Sequence, residues 1–253
     1  MSSSANGTVT PCRIVVLISG NGSNLQALMD QCSTPHCAFV GVISNKADAY
    51  GLQRAAEAGV PSWVVDHKAY PDRESFDQAM IRIIDEQQAD LVVLAGFMRI
   101  LSAAFVQHYK GRLLNIHPSL LPAYKGTVTH RRVLEAGETE HGVSVHFVTE
   151  ELDGGPVIRQ AVIPVEPQDT PESLAARVAI EEHKIYPEVV TWFATGRLRM
   201  GSAGNADNAK IAKSAENTDE NAKVWLDGEA LPAQGVRSFT DTTSSATASA
   251  RNL

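Results

Sequence analysis

Three residue groups in this 253-residue chain have the types and spacing to do chemistry. Asn115 and His117 stand two apart in a β-branched and leucine-rich run that ends at Pro118. Residues two apart on a strand point to the same face, so an amide and an imidazole can reach one bound oxygen. Such a pair suits stabilisation of an oxygen that gains negative charge, with the ring also able to move a proton. Upstream, Ser19-Gly20-Asn21-Gly22-Ser23-Asn24 lies between a strand pattern and a helix pattern. Gly20 and Gly22 allow close backbone approach, and a helix N-terminus offers free N–H groups and a positive dipole end, which suits a phosphate. The third glycine of a dinucleotide fingerprint is replaced by Leu25, and no acidic residue ends the second strand (Ser44-Asn45-Lys46), so one phosphate is favoured over NAD. No Walker sequence is present. Asp153, in Glu150-Glu151-Leu152-Asp153-Gly154-Gly155-Pro156, reads by itself as an ordinary Asp-Gly turn, and spacing does not bring it to His117.

The elements that must hold these groups alternate. Strands are expected at residues 13–19, 39–44, 62–66, 90–95 and 113–117, and helices at 24–31, 50–58, 72–88 and 102–109. That rhythm implies right-handed crossovers and an α/β fold, a Rossmann-like open, mostly parallel twisted sheet with helices on both faces. Both Asn115 and the glycine loop then lie at the carboxyl edge, where such sheets bind ligands. The strand-like runs 143–148 and 157–165 are expected as antiparallel additions, followed by a long helix from Pro171 to Arg197 that Pro187 should kink.

Bulk properties exclude several classes. A formal charge of -7 does not suit non-specific nucleic-acid binding, which needs a basic face. Cys12, Cys32 and Cys37 are an odd set without a CxxC pair and read as reduced thiols. The first ten residues lack the apolar core of a secretory signal, and no apolar run is long enough to span a bilayer. A cytoplasmic protein with small-molecule substrates, no nucleic-acid partner and no membrane partner is expected. His130, His141, His146 and His183 form no metal-binding sequence pattern, so no metal is expected.

Five segments in order, Ile18–Leu25, Leu94–Leu101, Leu114–Pro122, His141–Val148 and Leu152–Pro156, resemble the folate-dependent phosphoribosylglycinamide formyltransferases of purine synthesis. The resemblance covers roughly residues 13–200. It implies that Asn115, His117 and Asp153 are catalytic, with Asp153 favouring the imidazolium of His117. It implies that Gly22, Ser23 and Asn24 hold the ribose phosphate and that Glu182 contacts the glycinamide. The co-substrate 10-formyltetrahydrofolate would lie against Arg73, Met98, Arg99, Ile100 and Leu101, and against Thr149, Glu150, Glu151, Leu152 and Asp153. A monomer or weak homodimer is expected. The chain departs from the family pattern at Lys125 and Val128, where some members carry a proline and a further histidine.

Three rivals are weighed. A formyltetrahydrofolate hydrolase would carry an N-terminal regulatory domain, for which the 12 residues ahead of the first strand leave no room. A methionyl-tRNA formyltransferase would need a basic surface and a tRNA-binding C-terminal domain. A non-catalytic nucleotide-binding module would have no use for the Asn-His-Asp set. The expected organisation is a disordered tail (1–12), the formyltransferase domain (13–200), a polar flexible insertion (201–222), a small hairpin built on Asp227-Gly228 (223–235) and a disordered tail (236–253).

Overall fold

The computed structural model describes residues 9–201 and 223–240. In chain order the elements are β1 Cys12–Ile18, α1 Ser23–Gln31, β2 Cys37–Ser44, α2 Tyr50–Glu57, β3 Ser62–Val64, α3 Arg73–Glu86, β4 Leu91–Leu94, α4 Ala103–His108 and β5 Leu113–His117. They continue with α5 Thr129–Ala136, β6 Glu140–Phe147, β7 Val157–Pro164, α6 Pro171–Ala194, β8 Leu198–Gly201, β9 Lys223–Leu226, β10 Glu229–Ala230 and β11 Val236–Phe239. An eight-stranded sheet has the order β11-β7-β6-β5-β4-β1-β2-β3. Strands β1 to β5 are parallel, β6 is antiparallel to both its neighbours, and β11 lies parallel to β7. The architecture is the Rossmann-like α/β sheet with antiparallel additions.

Alternation along β1 explains the layers. Ile14, Val16 and Ile18 enter one core with residues of α1, α5 and α6, while Val15 and Leu17 enter the other with residues of α3 and α4. All five are fully buried, as a strand covered on both faces requires. The chain leaves β1 towards β2 and β3, then crosses back to β4 on the other side of β1. The loops after β1 and β4 therefore part company and open a crevice at the carboxyl edge.

α6 runs unbroken through Pro187. The proline has no N–H for the carbonyl of His183, and that oxygen instead accepts a bond from Gln31 Nε2 at 2.8 Å. A contact from α1 thus satisfies the carbonyl that the proline leaves without its helix bond. The Tyr186 hydroxyl donates to the carbonyls of Leu94 and Leu114, at 2.9 and 3.2 Å, which ties α6 to the strands beneath the crevice.

Two expectations about the chain ends are corrected. Cys12 is not part of a tail but opens β1, where its backbone lies in register beside that of Cys37 in β2. Residues 236–239 are likewise not tail but β11, which pairs in register with Arg159 to Val162 and closes the free edge of β7. A four-residue strand gains its stability from that edge, so the local sequence hid it. Asp227 and Gly228 both take positive φ and join β9 to β10, and β9 also pairs with β8 to give a separate three-stranded sheet. The expected tail at 1–8, the insertion at 202–222 and the tail from 241 lie outside the described residues.

Candidate active site

β5 delivers Asn115 and His117 to the carboxyl edge, and the antiparallel register of β6 sets His146 opposite Asn115. His146 Nδ1 lies 2.9 Å from its neighbouring carbonyl, Phe147 O, which can only accept, so the ring proton sits on Nδ1. The bare Nε2 then accepts from the Asn115 side-chain amide at 3.1 Å. Burial holds the His146 pKa down, at about 4, which keeps the ring in this neutral form. One amide hydrogen of Asn115 is thereby spent on His146, and the amide plane is set with its second N–H available.

His117 is held on both sides. Its Nε2 is 3.0 Å from the Tyr124 carbonyl and its Nδ1 is 3.5 Å from Asp153 Oδ2. An imidazolium would have an acceptor facing each nitrogen. Asp153 sits at φ 48, the left-handed turn conformation, so it is both a turn residue and a source of a carboxylate at the cluster. Its Oδ2 also accepts the Gly126 N–H at 2.9 Å, and its Oδ1 lies 3.9 Å from His146 Nε2. Gly155 in the same turn passes so close to Phe147 O that an added Cβ would lie 1.9 Å from it, so the turn can reach His117 only with glycine there.

The glycine loop follows β1 and opens α1. Gly22 is the N-cap at φ 74, with no side-chain cap, so the first N–H groups of α1 are left for a ligand. A Cβ on Gly22 would lie 2.7 Å from Gly51 Cα, so the loop is pressed against α2. Arg54 of α2 completes the brace by donating to the Asn21 carbonyl at 2.9 Å and its Oδ1 at 3.2 Å. Asn24 donates to Glu182 Oε2 of α6 at 2.7 Å. Burial pushes the Glu182 carboxyl pKa up, while Asn24, His183 and His117 pull it back. The structure therefore brings Gly22, Ser23, Asn24 and Glu182 to one place, within electrostatic reach of His117.

A family model described as Formyl transferase matches residues 12–190. The phosphoribosylglycinamide formyltransferase of Escherichia coli K12 is 55% identical over 224 residues, which are 88% of this chain and 97% of the relative. The human trifunctional purine biosynthetic protein adenosine-3 is 48% identical over 76% of this chain and 19% of its own length. A solved structure of phosphoribosylglycinamide formyltransferase from Coxiella burnetii, in complex with CHES, superposes with a TM-score of 0.78 at 49% identity, covering 90% of this chain and 99% of that one. This chain belongs to the formyl transferase family.

The remaining positions that the resemblance assigns to the folate lie at the start of α3 and on the segments after β4 and after β6. Met98 and Ile100, after β4, are 67% and 56% exposed, and Leu152, after β6, is 52% exposed. Leu101 and Val148 pack on one core, and Gln107 of α4 donates to Glu150, so the two segments approach each other. Arg99 is exposed beside Met98, and Thr149 is half-buried next to Val148. Arg73 opens α3 one turn ahead of Asp77, whose carboxylate holds the Ser102 N–H at 2.6 Å, so Arg73 stands near the end of the first segment. Lys125, one of the departures from the family pattern, makes an ion pair with Glu151 at 2.6 Å. Val128, the other, is the left-handed N-cap of α5. Among the described residues no group of three His, Cys, Asp or Glu is placed to hold a metal ion.

Sequence reasoning missed His146, Gly51, Arg54 and the Tyr124 carbonyl. It also missed the buried web behind His117, where Ser144 Oγ donates to Ser119 O at 2.6 Å and accepts from Leu121 N and from Gln160 Nε2. One signal was readable: Ser144 and His146 alternate with the apolar Val143, Val145 and Phe147 and so form a polar period-two stripe.

Proposed function

We propose that this formyl transferase family member transfers the formyl group of 10-formyltetrahydrofolate to the amine of phosphoribosylglycinamide. The observation that carries this reading is the convergence of Asn115, His117 and Asp153 at the sheet edge, beside a glycine loop shaped for a phosphate. The amine of the glycinamide attacks the formyl carbon, and the carbonyl oxygen becomes an oxyanion. The free N–H of Asn115 faces that oxygen, and His117 as imidazolium adds positive charge beside it. Collapse of the tetrahedral species breaks the bond to the folate nitrogen, which takes a proton as it leaves. His117 supplies that proton, Asp153 stabilises the charged ring before the transfer, and the proton shed by the attacking amine is taken up in turn and restores the imidazolium, so the step balances. Gly22, Ser23 and Asn24 hold the phosphate and ribose. Glu182, oriented by Asn24, receives the glycinamide end. Arg73, Met98 to Leu101 and Thr149 to Asp153 hold the folate.

We infer further that the enzyme works in the cytoplasm, in keeping with its three free thiols, and that it is a monomer or weak homodimer with one formyltransferase domain, whose main sheet runs from Cys12 in β1 to Phe239 in β11. No helix among the described residues is long and apolar enough to cross a membrane. The test follows 10-formyltetrahydrofolate by absorbance with and without phosphoribosylglycinamide. Consumption that depends on the amine, with the formylated amide as product, is the expected result. Consumption by water alone would replace this reading with a hydrolase.

A further inference from the structure

The segment 95–102 between β4 and α4 carries Met98 to Leu101, and two side chains fix its backbone. At the far end Asp77 accepts the Ser102 N–H. At the near end the Met98 N–H donates to Ser19 Oγ at 2.9 Å. Ser19 has one hydroxyl hydrogen, and it gives that hydrogen to Asn45 Oδ1 at 2.6 Å. With its proton committed to Asn45, the hydroxyl turns a lone pair towards Met98. Ser19 is 4% exposed and Asn45 2% exposed, so neither bond competes with bulk water. Asn45 Nδ2 in turn lies 3.4 Å from His67 Nδ1, at the outer end of the relay.

The position of Ser19 makes this more than a loop tie. Ser19 directly follows β1 and precedes the glycine loop, whose Gly20 carbonyl accepts from Gly51 N at 3.1 Å. β1 and β4 are neighbours where the strand order reverses. One buried hydroxyl therefore spans the crevice floor between the loop that meets the phosphate and the loop that meets the folate. The side chains it sets in place, Met98 and Ile100, are apolar and bare, so only their backbone anchors define where they stand.

We propose that Ser19, oriented by Asn45, is a positioning residue for the folate subsite. It presents Met98 to Leu101 to the co-substrate from a fixed point at the end of β1. This rests on the placement of the folate against Met98 to Leu101 under the proposed function.

The test is a two-substrate kinetic series with 10-formyltetrahydrofolate and phosphoribosylglycinamide. Ser19→Ala is expected to raise the KM for the folate about tenfold, the size of effect when a buried N–H loses its acceptor. The KM for the phosphoribosyl substrate should stay within about twofold, since Gly22 and Asn24 keep their own anchors. Asn45→Ala should move the same constant in the same direction. The double variant should be no worse than Ser19→Ala, because Asn45 acts on the loop only through that hydroxyl. Equal rises in both KM values, or a fall in thermal stability with unchanged KM, would overturn the proposal. If Ser19→Ala does not fold, Asn45→Ala carries the same readout. Ile100→Asp separates the two levels of inference. If it leaves the folate KM unchanged, the folate placement fails and the proposal with it. If it raises that KM while Ser19→Ala does not, the positioning role alone fails.

Discussion

The two halves of the crevice are built by different means. The glycine-loop half is local: a parallel strand, a turn with two glycines and a helix N-terminus follow one another within 20 residues, and α2 presses on them from behind. The half proposed to be catalytic is assembled from three separate stretches. β5 provides Asn115 and His117, β6 provides His146, and the turn after it provides Asp153. Its loop backbone takes left-handed conformations at Tyr124, Val128 and Asp153, none of them glycine. Such residues cost about 1 kcal/mol or more and persist only where the surroundings hold them. Here the holders are the groups proposed to be catalytic, because Tyr124 O faces His117 and Gly126 N binds Asp153. The phosphate side is thus preformed by the chain's own conformational preferences. On the catalytic side, loop order and catalytic geometry depend on each other.

The largest expected effect breaks the catalytic half. His117→Ala and Asp153→Ala should each lower turnover at least ~100-fold while leaving the KM for the phosphoribosyl substrate nearly unchanged. Near-normal turnover in steady-state assays of either variant would remove that residue from the chemistry.

The second contrast is in acid. Burial lowers the His141 pKa from 6.5 to about 4, with smaller contributions from His130 and His117, and His146 is lowered in the same direction. Between those values the unfolded chain binds a proton that the folded chain refuses, so stability falls as pH falls from about 6.5 towards 4. For His141 the loss is on the order of 2 kcal/mol by about pH 5. Thermal unfolding across this range should give a flatter profile for His141→Gln, and an unchanged slope would show that the ring is not buried neutral.

A smaller effect is expected in the glycine-loop half. Gly22→Ala forces a side chain into φ 74 and into Gly51. A stability loss of about 1–2 kcal/mol should accompany a raised KM for the phosphoribosyl substrate, with turnover at saturation kept. An effect confined to turnover would erase the distinction between the halves.

The smallest change sharpens it. Lys125 and Glu151 pair across the loops at 34% and 70% exposure, and such a pair contributes ~0–1 kcal/mol. Lys125→Ala should alter the folate KM by no more than about threefold, an effect that shrinks further in high salt. A tenfold rise would make the ion pair a binding element and not a tie between loops.

The readability of the chain follows the same division. The strand, glycine-loop and helix pattern at residues 13–31 was legible because each residue's preference agrees with its neighbours'. The shared face of Asn115 and His117 was legible for the same reason, since strand periodicity alone decides it. α5 was missed because its eight residues start at a left-handed valine and bury only Thr129 and Val133, too few for a helical stripe. β11 was missed because its partner lies 77 residues away in sequence and supplies the edge that makes it a strand. Asp153 could be linked to His117 only through family resemblance.

The sequence by itself determined the layered α/β architecture, the carboxyl-edge location of the site and the phosphate-shaped loop, because each arises from contacts within about one element. Only the tertiary structure decided which side chains meet. The His146 tautomer that sets the Asn115 amide, the two acceptors around His117, the brace of Gly51 and Arg54 and the Ser19 anchor all depend on groups brought together across the sheet. Their partners are fixed by strand order and register, which no local preference encodes.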